Sequence, residues 1–550
     1  MAKKILIVGG VAGGASAAAR LRRLDETAKI IMFERGDYIS FASCGLPYYI
    51  GGAIKNRDEL LIQTPQSFKQ RFNVDIRIKS EVVKINRRKK LVEVVELSTG
   101  KKYLEGYDKL ILSPGAEPVK PPLPGIDSNR IFTLRNIADM DRITEFIRKQ
   151  HPKKAIVIGA GYIGLEMAEN LHAQGLSVEM IEIFDQVLPS LDKEMAYFIQ
   201  KHLKEQGVTL HLGDGVSSFN QTGSSLKVKV RSEEELDCDF AMLTVGVAPE
   251  VKLAKEAGLK IGSQSGIKVN EYLQTSDPDI YAIGDAVEVK DFVLGDATLI
   301  PLAGPANKQG RMVADNISGR NRKYNGTQGT AVLKVFDLTV AMTGASEKAL
   351  IKKKIDYEKL YLHPANHAGY YPGAKQMHIK ILFDKTQGEV LGAQIVGADG
   401  VDKRIDVFAV AIRAGMTVFD LQELELAYAP PYGSGKDPVN IAGYAAANIL
   451  DGTVKVKHFN EIEKEDFILD VRTTSEFTRG GIPNAQNVPL NHLRDKLDEL
   501  PREKTINAYC GVGLRSYMAC RILEQNGFDA RNLSGGYTTY LAIANSGLLK

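Results

Sequence analysis

The sequence predicts an α/β protein built from several domains, because similar strand–turn–helix–strand patterns recur along one long chain. The chain has 550 residues, too many for a single hydrophobic core, so roughly three or four domains are expected. One pattern opens at Lys3, a second opens at Ala155, and a separate α/β pattern follows Gly452. The first two patterns predict two dinucleotide-binding domains with Rossmann-like parallel sheets.

The first pattern is a strand over residues 3–8 that enters a glycine-rich turn over residues 9–14. After a helix, a second strand over residues 29–33 ends at Glu34, an acid about 20 residues beyond the turn, where such units bind a ribose. Val11 occupies the position of the middle glycine. This β-branched residue tightens the approach of the chain to a phosphate.

The second pattern matches G-x-G-x-x-G in full, with Gly159, Gly161 and Gly164 after an apolar strand over residues 155–158. A helix is predicted over 165–174, and the strand that follows ends at Glu182. Glycines let the backbone approach a pyrophosphate at the helix N-terminus. The carboxylate of Glu182 would accept from a ribose hydroxyl and repel a 2′-phosphate, so this site favours NADH over NADPH.

Cys44 is the only cysteine in the first 237 residues, and it lies ten residues after Glu34. Its position suggests a thiol that works beside a bound flavin. With no second cysteine nearby, its oxidised partner must come from elsewhere, most simply from a small-molecule thiol. Glycine and helix-compatible residues follow Cys44, so we expect it near a helix N-terminus, where the dipole favours the thiolate.

The composition excludes several classes of protein. A net charge of +4 gives no sign of a nucleic-acid partner. The basic run over 87–90 lies between two alternating apolar stretches, which predicts a solvated hairpin turn. The N-terminus fits neither a secretory signal nor a membrane span. Four cysteines without framework spacing favour the reducing cytoplasm.

The middle of the chain contains two further regions. The segment 275–285 is a strand ending at Asp285, and its place after the second nucleotide unit fits a flavin domain whose sequence the nicotinamide domain interrupts. Residues 326–450 lack a nucleotide turn and show strands over 331–336, 377–383 and 388–395, then a helical pattern over 404–414. His363 and His367 are separated by a proline, and we predict no metal site.

The last region contains a second cysteine loop. A strand over 505–509 delivers Cys510 into a glycine-rich loop, with a helix starting near Tyr517. Backbone N–H groups that converge on Cys510 would stabilise a thiolate and then a persulfide. Four residues separate Cys510 from Arg515, and so tight a loop suits a single sulfur atom better than a phosphate. Cys238 and Cys520 are predicted to be buried structural thiols.

Together these motifs resemble a known family. Residues 1 to about 450 resemble the two-dinucleotide-domain flavoprotein disulfide reductases, through the two glycine turns, Glu34, residues 113–116 and Asp285. Residues 40–48, 367–374 and 426–432 are similar to the coenzyme A-disulfide reductase branch, including NADH-dependent persulfide reductases fused to a rhodanese domain. The region after 452 resembles that rhodanese domain.

This resemblance implies a homodimeric enzyme that uses FAD and NADH to reduce coenzyme A-linked disulfide or persulfide sulfur, without membrane or nucleic-acid partners. Cys44 and Cys510 are the implied reactive thiols, aided by Arg515 and by Tyr370 and Tyr428 from the partner subunit. The implied FAD and NADH contacts are Gly9, Gly13, Gly14, Glu34, Arg35, Ser43, Ala116, Gly159, Gly161, Gly164, Glu182, Gly246, Asp285 and Ala303, and those for coenzyme A are Arg23, Ser40, Ser43, Arg71 and Asn307.

The implied domains follow the same order as in the family. They are an FAD-binding domain in two parts (1–118 and 248–325), an NADH-binding domain (119–247), an α+β dimerisation domain (326–450) and a rhodanese domain (455–550).

Three other functions stay open at this point. An NADH oxidase or peroxidase would use Cys44 as a sulfenic acid. A redox-sensing sulfur carrier would turn over little. The rhodanese domain departs from its family at Gly481 and Asn484, where a histidine and a glycine are usual, so an inactive domain that serves as a lid or interaction module is also open.

Overall fold

The computed structural model describes residues 2 to 549, which form two compact units: residues 2–183 with 208–329, and residues 184–207 with 330–549. Each unit has its own sheets and apolar core. Within the described residues, no helix is both long and apolar enough to cross a membrane.

The first unit is built on two five-stranded parallel sheets, one for each glycine-rich turn. Their central strands are almost fully buried on both faces, as parallel strands between helices must be. In hydrogen-bonded order the first sheet contains Ile280–Ala282, Lys109–Leu112, Lys4–Val8, Lys29–Phe33 and Asp75–Arg77, and the second contains Thr209–Leu212, Ser177–Glu182, Lys154–Ile158, Phe240–Leu243 and Ile131–Phe132. The predicted α/β class with two dinucleotide-binding folds is confirmed.

Smaller sheets, most of them antiparallel, flank these two. The predicted basic hairpin turn over 87–90 is confirmed, since it joins Ser80–Asn86 to Leu91–Glu96. The other strands are Lys102–Gly106, Ala116–Pro118, Val216–Thr222, Ser225–Val230, Glu235–Cys238, Val247–Pro249, Ile267–Lys268, Val287–Lys290 and Ala297–Thr298. The helices are Ala12–Leu24, Leu46–Ile50, Pro65–Phe72, Ile137–Gln150, Tyr162–Ala173, Lys252–Glu256 and Ala303–Ile317.

The chain returns to the first sheet after it has built the second. Ile280 pairs with Leu110, which places a late strand at the edge of the first sheet. The helix Ala303–Ile317 then packs on Ala12–Leu24, where a Cβ on Gly310 would overlap the Gly13 carbonyl oxygen. The helix after the first glycine turn is therefore held by a segment about 300 residues away in sequence.

The second unit contains one antiparallel and one parallel sheet. The antiparallel sheet, in order Ala331–Val335, Leu338–Gly344, Val390–Gly397, Met377–Phe383 and Glu358–Leu362, accompanies the helices Lys193–Glu205, Glu347–Lys353, Val401–Ala414, Val418–Glu423 and Pro438–Leu450. The parallel sheet is Val456–Lys457, Ala530–Leu533, Ile506–Tyr509, Phe467–Asp470 and Gln486–Asn487, with helices Thr474–Thr478, Leu514–Gln525 and Gly536–Asn545. The helix predicted near Tyr517 begins at Leu514, so Arg515 lies in its first turn.

Candidate active site

Cys44 lies in a short 3₁₀ turn, Ser43–Gly45, that leads directly into the helix Leu46–Ile50. Its free thiol is accessible to solvent. The Ser40 N–H donates to the Gly10 carbonyl at 2.9 Å, which ties this segment to the first glycine-rich turn. Ser40 also has a φ of 44°, a left-handed conformation uncommon outside glycine. The local backbone therefore fixes the cysteine beside that turn.

The electrostatics around Cys44 differ from the expectation of a helix-stabilised thiolate. Surrounding protein raises the pKa of the thiol by desolvation, Glu166 raises it further, and Asp285 adds to this, while a Ser43 hydrogen bond lowers it. The expected position before a helix N-terminus is confirmed, but desolvation and two carboxylates raise the pKa of the thiol instead of lowering it. Burial also raises the pKa of Glu166 to about 7, and the Tyr48 hydroxyl donates to its Oε1 at 3.4 Å. Glu166 therefore changes charge near neutral pH within electrostatic reach of the thiol.

The first glycine-rich turn is shaped to receive a dinucleotide. A Cβ on Gly9 would overlap the Ser113 carbonyl oxygen, and one on Gly14 would overlap the Gly9 carbonyl oxygen, so the close strand–helix packing requires both glycines. Glu34 accepts from the Gly10 N–H at 2.9 Å and from the Gly36 N–H at 2.8 Å. The acid at the end of the second strand is thus held against the turn, as a ribose contact requires.

A cleft of about 460 Å³ opens beside this turn. Of the residues predicted for FAD, it brings together Gly9, Glu34, Arg35, Ser43, Ala116 and Asp285. Gly13, Gly14 and Ala303 are not among its lining residues. The two glycines lie in the first turn of the helix Ala12–Leu24, and Ala303 begins the helix that packs on Ala12–Leu24. The glycine cradle and the ribose-facing acid fit a flavin dinucleotide.

The second glycine-rich turn repeats this arrangement. A Cβ on Gly164 would overlap the Gly159 carbonyl oxygen, whereas one on Gly161 would meet no atom within 4 Å, which leaves that face of the turn open to a ligand. Glu182 accepts from the Ala160 N–H at 2.7 Å and is only 6% exposed. Gly246, at φ 111°, follows the neighbouring strand. The same residue types therefore build two equivalent cradles, and the second fits a nicotinamide dinucleotide.

An arginine-lined pocket of about 380 Å³ lies beside the first helix. It brings together four of the five residues predicted for coenzyme A, Arg23, Ser40, Arg71 and Asn307, whereas Ser43 lines the dinucleotide cleft instead. Four guanidinium groups converge there. Among these four arginines, Arg20 alone pairs with a carboxylate of the described residues, that of Asp315 at 2.8 Å. Such a pocket suits a ligand with several phosphate groups.

Sequence reasoning missed two members of this pocket, Arg20 and Arg311. Helical spacing could have found them. Arg20 lies three residues before Arg23, and Arg311 lies four residues after Asn307, so each shares a helix face with a predicted residue.

Two exposed tyrosines of the second unit lie in contact. The hydroxyls of Tyr370 and Tyr428 are 2.7 Å apart, although 76% and 49% of these residues are exposed. The buried Arg404, which sequence reasoning also missed, donates to the carbonyls of Asn366 and Tyr432 and so ties the two tyrosine-bearing loops together. A hydrogen-bonded phenol pair presented to solvent is suited to complete a site on another subunit.

Cys510 lies at the base of its loop and is fully buried. The Gly513 N–H donates to its Sγ at 3.1 Å, and the Ser516 hydroxyl, which was not predicted, donates at 3.5 Å. The Tyr537 N–H donates to the Cys510 carbonyl at 2.7 Å, and Gly536 lets that second loop approach, since a Cβ there would overlap the same carbonyl oxygen. Donors thus converge on the sulfur, as a thiolate or persulfide anion requires.

An acidic cluster in the second unit resembles a cation site but holds a lysine. Lys380 is fully buried, and its Nζ lies 2.9 Å from Asp192 and 2.5 Å from both Glu194 and Glu347. Its ammonium group pairs with all three carboxylates in the place where a metal ion would bind. Cys238 and Cys520 are both buried, as predicted.

Comparison with known families gives three matches along the chain. Residues 3–310 match the pyridine nucleotide-disulphide oxidoreductase family, and residues 330–436 match the dimerisation domain of the same family. Residues 456–542 match the rhodanese-like domain.

Individual proteins match over most of their length. Coenzyme A disulfide reductase of Staphylococcus haemolyticus is 38% identical over 448 residues, which are 81% of this chain and 100% of that protein. The crystal structure of reduced CoADR-RHD from Bacillus anthracis is 51% identical, with a TM-score of 0.97 over 99% of both chains. An NAD-dependent persulfide reductase from A. fulgidus is 38% identical, with a TM-score of 0.92 over 98% of this chain and 100% of that one.

Proposed function

This chain belongs to the pyridine nucleotide-disulphide oxidoreductase family, and we propose that it is an NADH-dependent reductase of coenzyme A-linked persulfide and disulfide sulfur. Membership in this family implies that the protein binds FAD and NAD(H). The observation that carries the proposal is the segment 40–44. Ser43 lines the dinucleotide cleft, Ser40 lines the arginine pocket, and Cys44 follows directly. A thiol in this segment would therefore lie between a redox cofactor in the cleft and a polyphosphate thiol ligand in the arginine pocket.

The proposed reaction uses Cys44 as the only thiol of the flavin site. Its thiolate attacks the coenzyme A sulfur of a persulfide, forms a Cys44–coenzyme A disulfide and releases hydrosulfide. A bound flavin supplies the transfer of two electrons from NADH to that disulfide. Coenzyme A thiol leaves, the Cys44 thiolate is regenerated, and NADH becomes NAD⁺. With symmetric coenzyme A disulfide, the first leaving group is coenzyme A thiolate instead.

The arginines of the pocket bind the phosphate groups of coenzyme A, with Arg23 and Arg71 joined by Arg20 and Arg311. The enzyme is a cytoplasmic homodimer in which Tyr370 and Tyr428 of one subunit reach the Cys44 site of the other. Their exposure and mutual hydrogen bond support this role. Phenol hydroxyls there would donate to the coenzyme A thiolate as it leaves.

The C-terminal domain relays sulfane sulfur. Cys510 accepts a sulfur atom and becomes a persulfide. Because Cys510 and Cys44 belong to the same chain, the effective concentration of the Cys510 persulfide near Cys44 is raised. The Gly513 N–H and the Ser516 hydroxyl hold the persulfide anion in the loop.

The replacement Cys44→Ser tests the proposal. We expect NADH-driven reduction of coenzyme A persulfide and disulfide to be abolished, because the attacking thiolate is lost. Anaerobic reduction of the bound flavin by NADH should persist, since neither glycine turn is changed. Cys238→Ala, which removes a buried thiol elsewhere in the first unit, is the matched control and should retain turnover. Turnover by Cys44→Ser would exclude Cys44 from the reaction.

A further inference from the structure

The only charged residue in the Cys510 loop and the first turn of its helix is Arg515, and its charge is compensated. Both of its Nη atoms donate to Glu476, at 2.7 Å and 2.6 Å. Glu476 is itself held in place, because the N–H and the hydroxyl of Thr473 donate to its Oε2 at 3.0 Å and 2.9 Å. The helix Thr474–Thr478 thus presents a fixed carboxylate to the loop.

This ion pair lies against the start of the loop. A Cβ on Gly511 would come within 3.4 Å of the Arg515 guanidinium and 3.9 Å of the Glu476 carboxylate. The hydrogen bonds from Arg515 lower the pKa of Glu476 to about 2, so this carboxylate stays ionised at neutral pH. The two groups therefore present no net charge to a ligand that enters the loop.

The surface beside the loop is apolar. Leu514 is 63% exposed and Met518 is 40% exposed. These residues are four apart on the helix Leu514–Gln525, so they share one face at its N-terminal end, where the loop enters. This exposed face beside the loop offers hydrocarbon contacts to a sulfur donor.

We propose that the Cys510 loop takes sulfane sulfur from persulfides and polysulfanes carried on an uncharged or apolar arm, and that Glu476 discriminates against the dianion thiosulfate. This inference rests on the proposed relay function and specifies its donor. The Cys510 thiolate attacks the outer sulfur of the donor, a new S–S bond forms, the donor S–S bond breaks, and the donor leaves as a thiolate. With thiosulfate the leaving group would be sulfite, and Arg515, compensated by Glu476, would offer no net positive charge to hold the dianion.

The test measures loading of Cys510 in the full-length Cys44→Ser protein, so that flavin-site chemistry does not contribute. Peptide mass spectrometry follows the rate of Cys510 persulfide formation with sodium thiosulfate and with the persulfide of N-acetylcysteamine. We expect the neutral-arm persulfide to load Cys510 at least about tenfold faster than thiosulfate does. Glu476→Gln should lower this persulfide/thiosulfate rate ratio about tenfold, because it leaves the charge of Arg515 uncompensated. Glutamine keeps an acceptor for the Thr473 N–H. Glu499→Gln, at an exposed pair with Lys496, is the control with the same charge change.

A wild-type ratio near one would overturn the inference, as would a Glu476→Gln variant that slows both donors equally. The wild-type ratio decides the question even if that variant does not fold. If neither donor loads Cys510, both this inference and the relay function are overturned. If both donors load Cys510 at equal rates, this inference alone is overturned.

Discussion

We predict that the cofactor preference of the second nucleotide site depends on one buried carboxylate, Glu182. It is 6% exposed, and its Oε2 accepts from the Ala160 N–H at 2.7 Å. Two replacements separate its structural contact from its charge. Glu182→Gln keeps an acceptor for Ala160 and removes the charge, whereas Glu182→Arg also introduces a cation for a 2′-phosphate.

The size of the effect follows from two terms. A charge-assisted hydrogen bond from the NADH ribose contributes about 1.5–3 kcal/mol. Repulsion of one phosphate charge at about 5 Å, with an effective dielectric constant of about 20, costs NADPH about 3 kcal/mol. Since 1.4 kcal/mol corresponds to about tenfold, the wild type should prefer NADH at least about a hundredfold. Glu182→Gln should bring that preference within about tenfold, and Glu182→Arg should shift it toward NADPH.

The assay compares kcat/KM for NADH and NADPH with one saturating sulfur acceptor, together with the rate of flavin reduction by each cofactor. Glu179→Gln is the control, since Glu179 lies on the same strand and pairs with Lys154 at 2.6 Å. An NADH/NADPH ratio that is the same in wild type and Glu182→Gln would show that this carboxylate does not discriminate between the cofactors.

Two further predictions concern the reactive thiols. The pKa of Glu166 is about 7, so its carboxyl becomes anionic as the pH rises through 7 and opposes formation of the Cys44 thiolate. Glu166→Gln should therefore speed alkylation of Cys44 relative to wild type at pH 8 but not at pH 6, and an equal ratio at both pH values would contradict this coupling. Cys510→Ser should impair NADH consumption with protein-bound sulfane sulfur and spare small persulfides that reach Cys44 directly. Equal rates with every sulfur source would favour a lid or interaction module.

The two nucleotide cradles could be predicted because short-range sterics dictate them. Gly9 and Gly159 each lie where a side chain would overlap a neighbouring strand, and an acid such as Glu34 must follow at a fixed distance along the chain. The same holds for the Cys510 loop, whose small residues let backbone donors converge. Each of these requirements restricts residue types at positions that are close together in sequence, so a sequence pattern shows it.

The rest depends on contacts between distant segments. Arg311 joins Arg23 only because the helix Ala303–Ile317 packs on Ala12–Leu24. Glu166 lies more than a hundred residues from Cys44 in sequence, yet it adds to the desolvation that raises the pKa of that thiol. The buried Arg404 likewise ties two loops whose proximity only the folded sheet creates.

The most direct measurement follows coenzyme A on Cys44. Oxidised holoenzyme is mixed with coenzyme A persulfide without NADH, and the adduct is located by peptide mass spectrometry. We expect about one coenzyme A per chain on Cys44, lost with release of coenzyme A thiol when one equivalent of NADH is added, and no adduct in Cys44→Ser. A coenzyme A adduct at another cysteine, or turnover that proceeds while Cys44 carries no coenzyme A at any time, would contradict the proposed function.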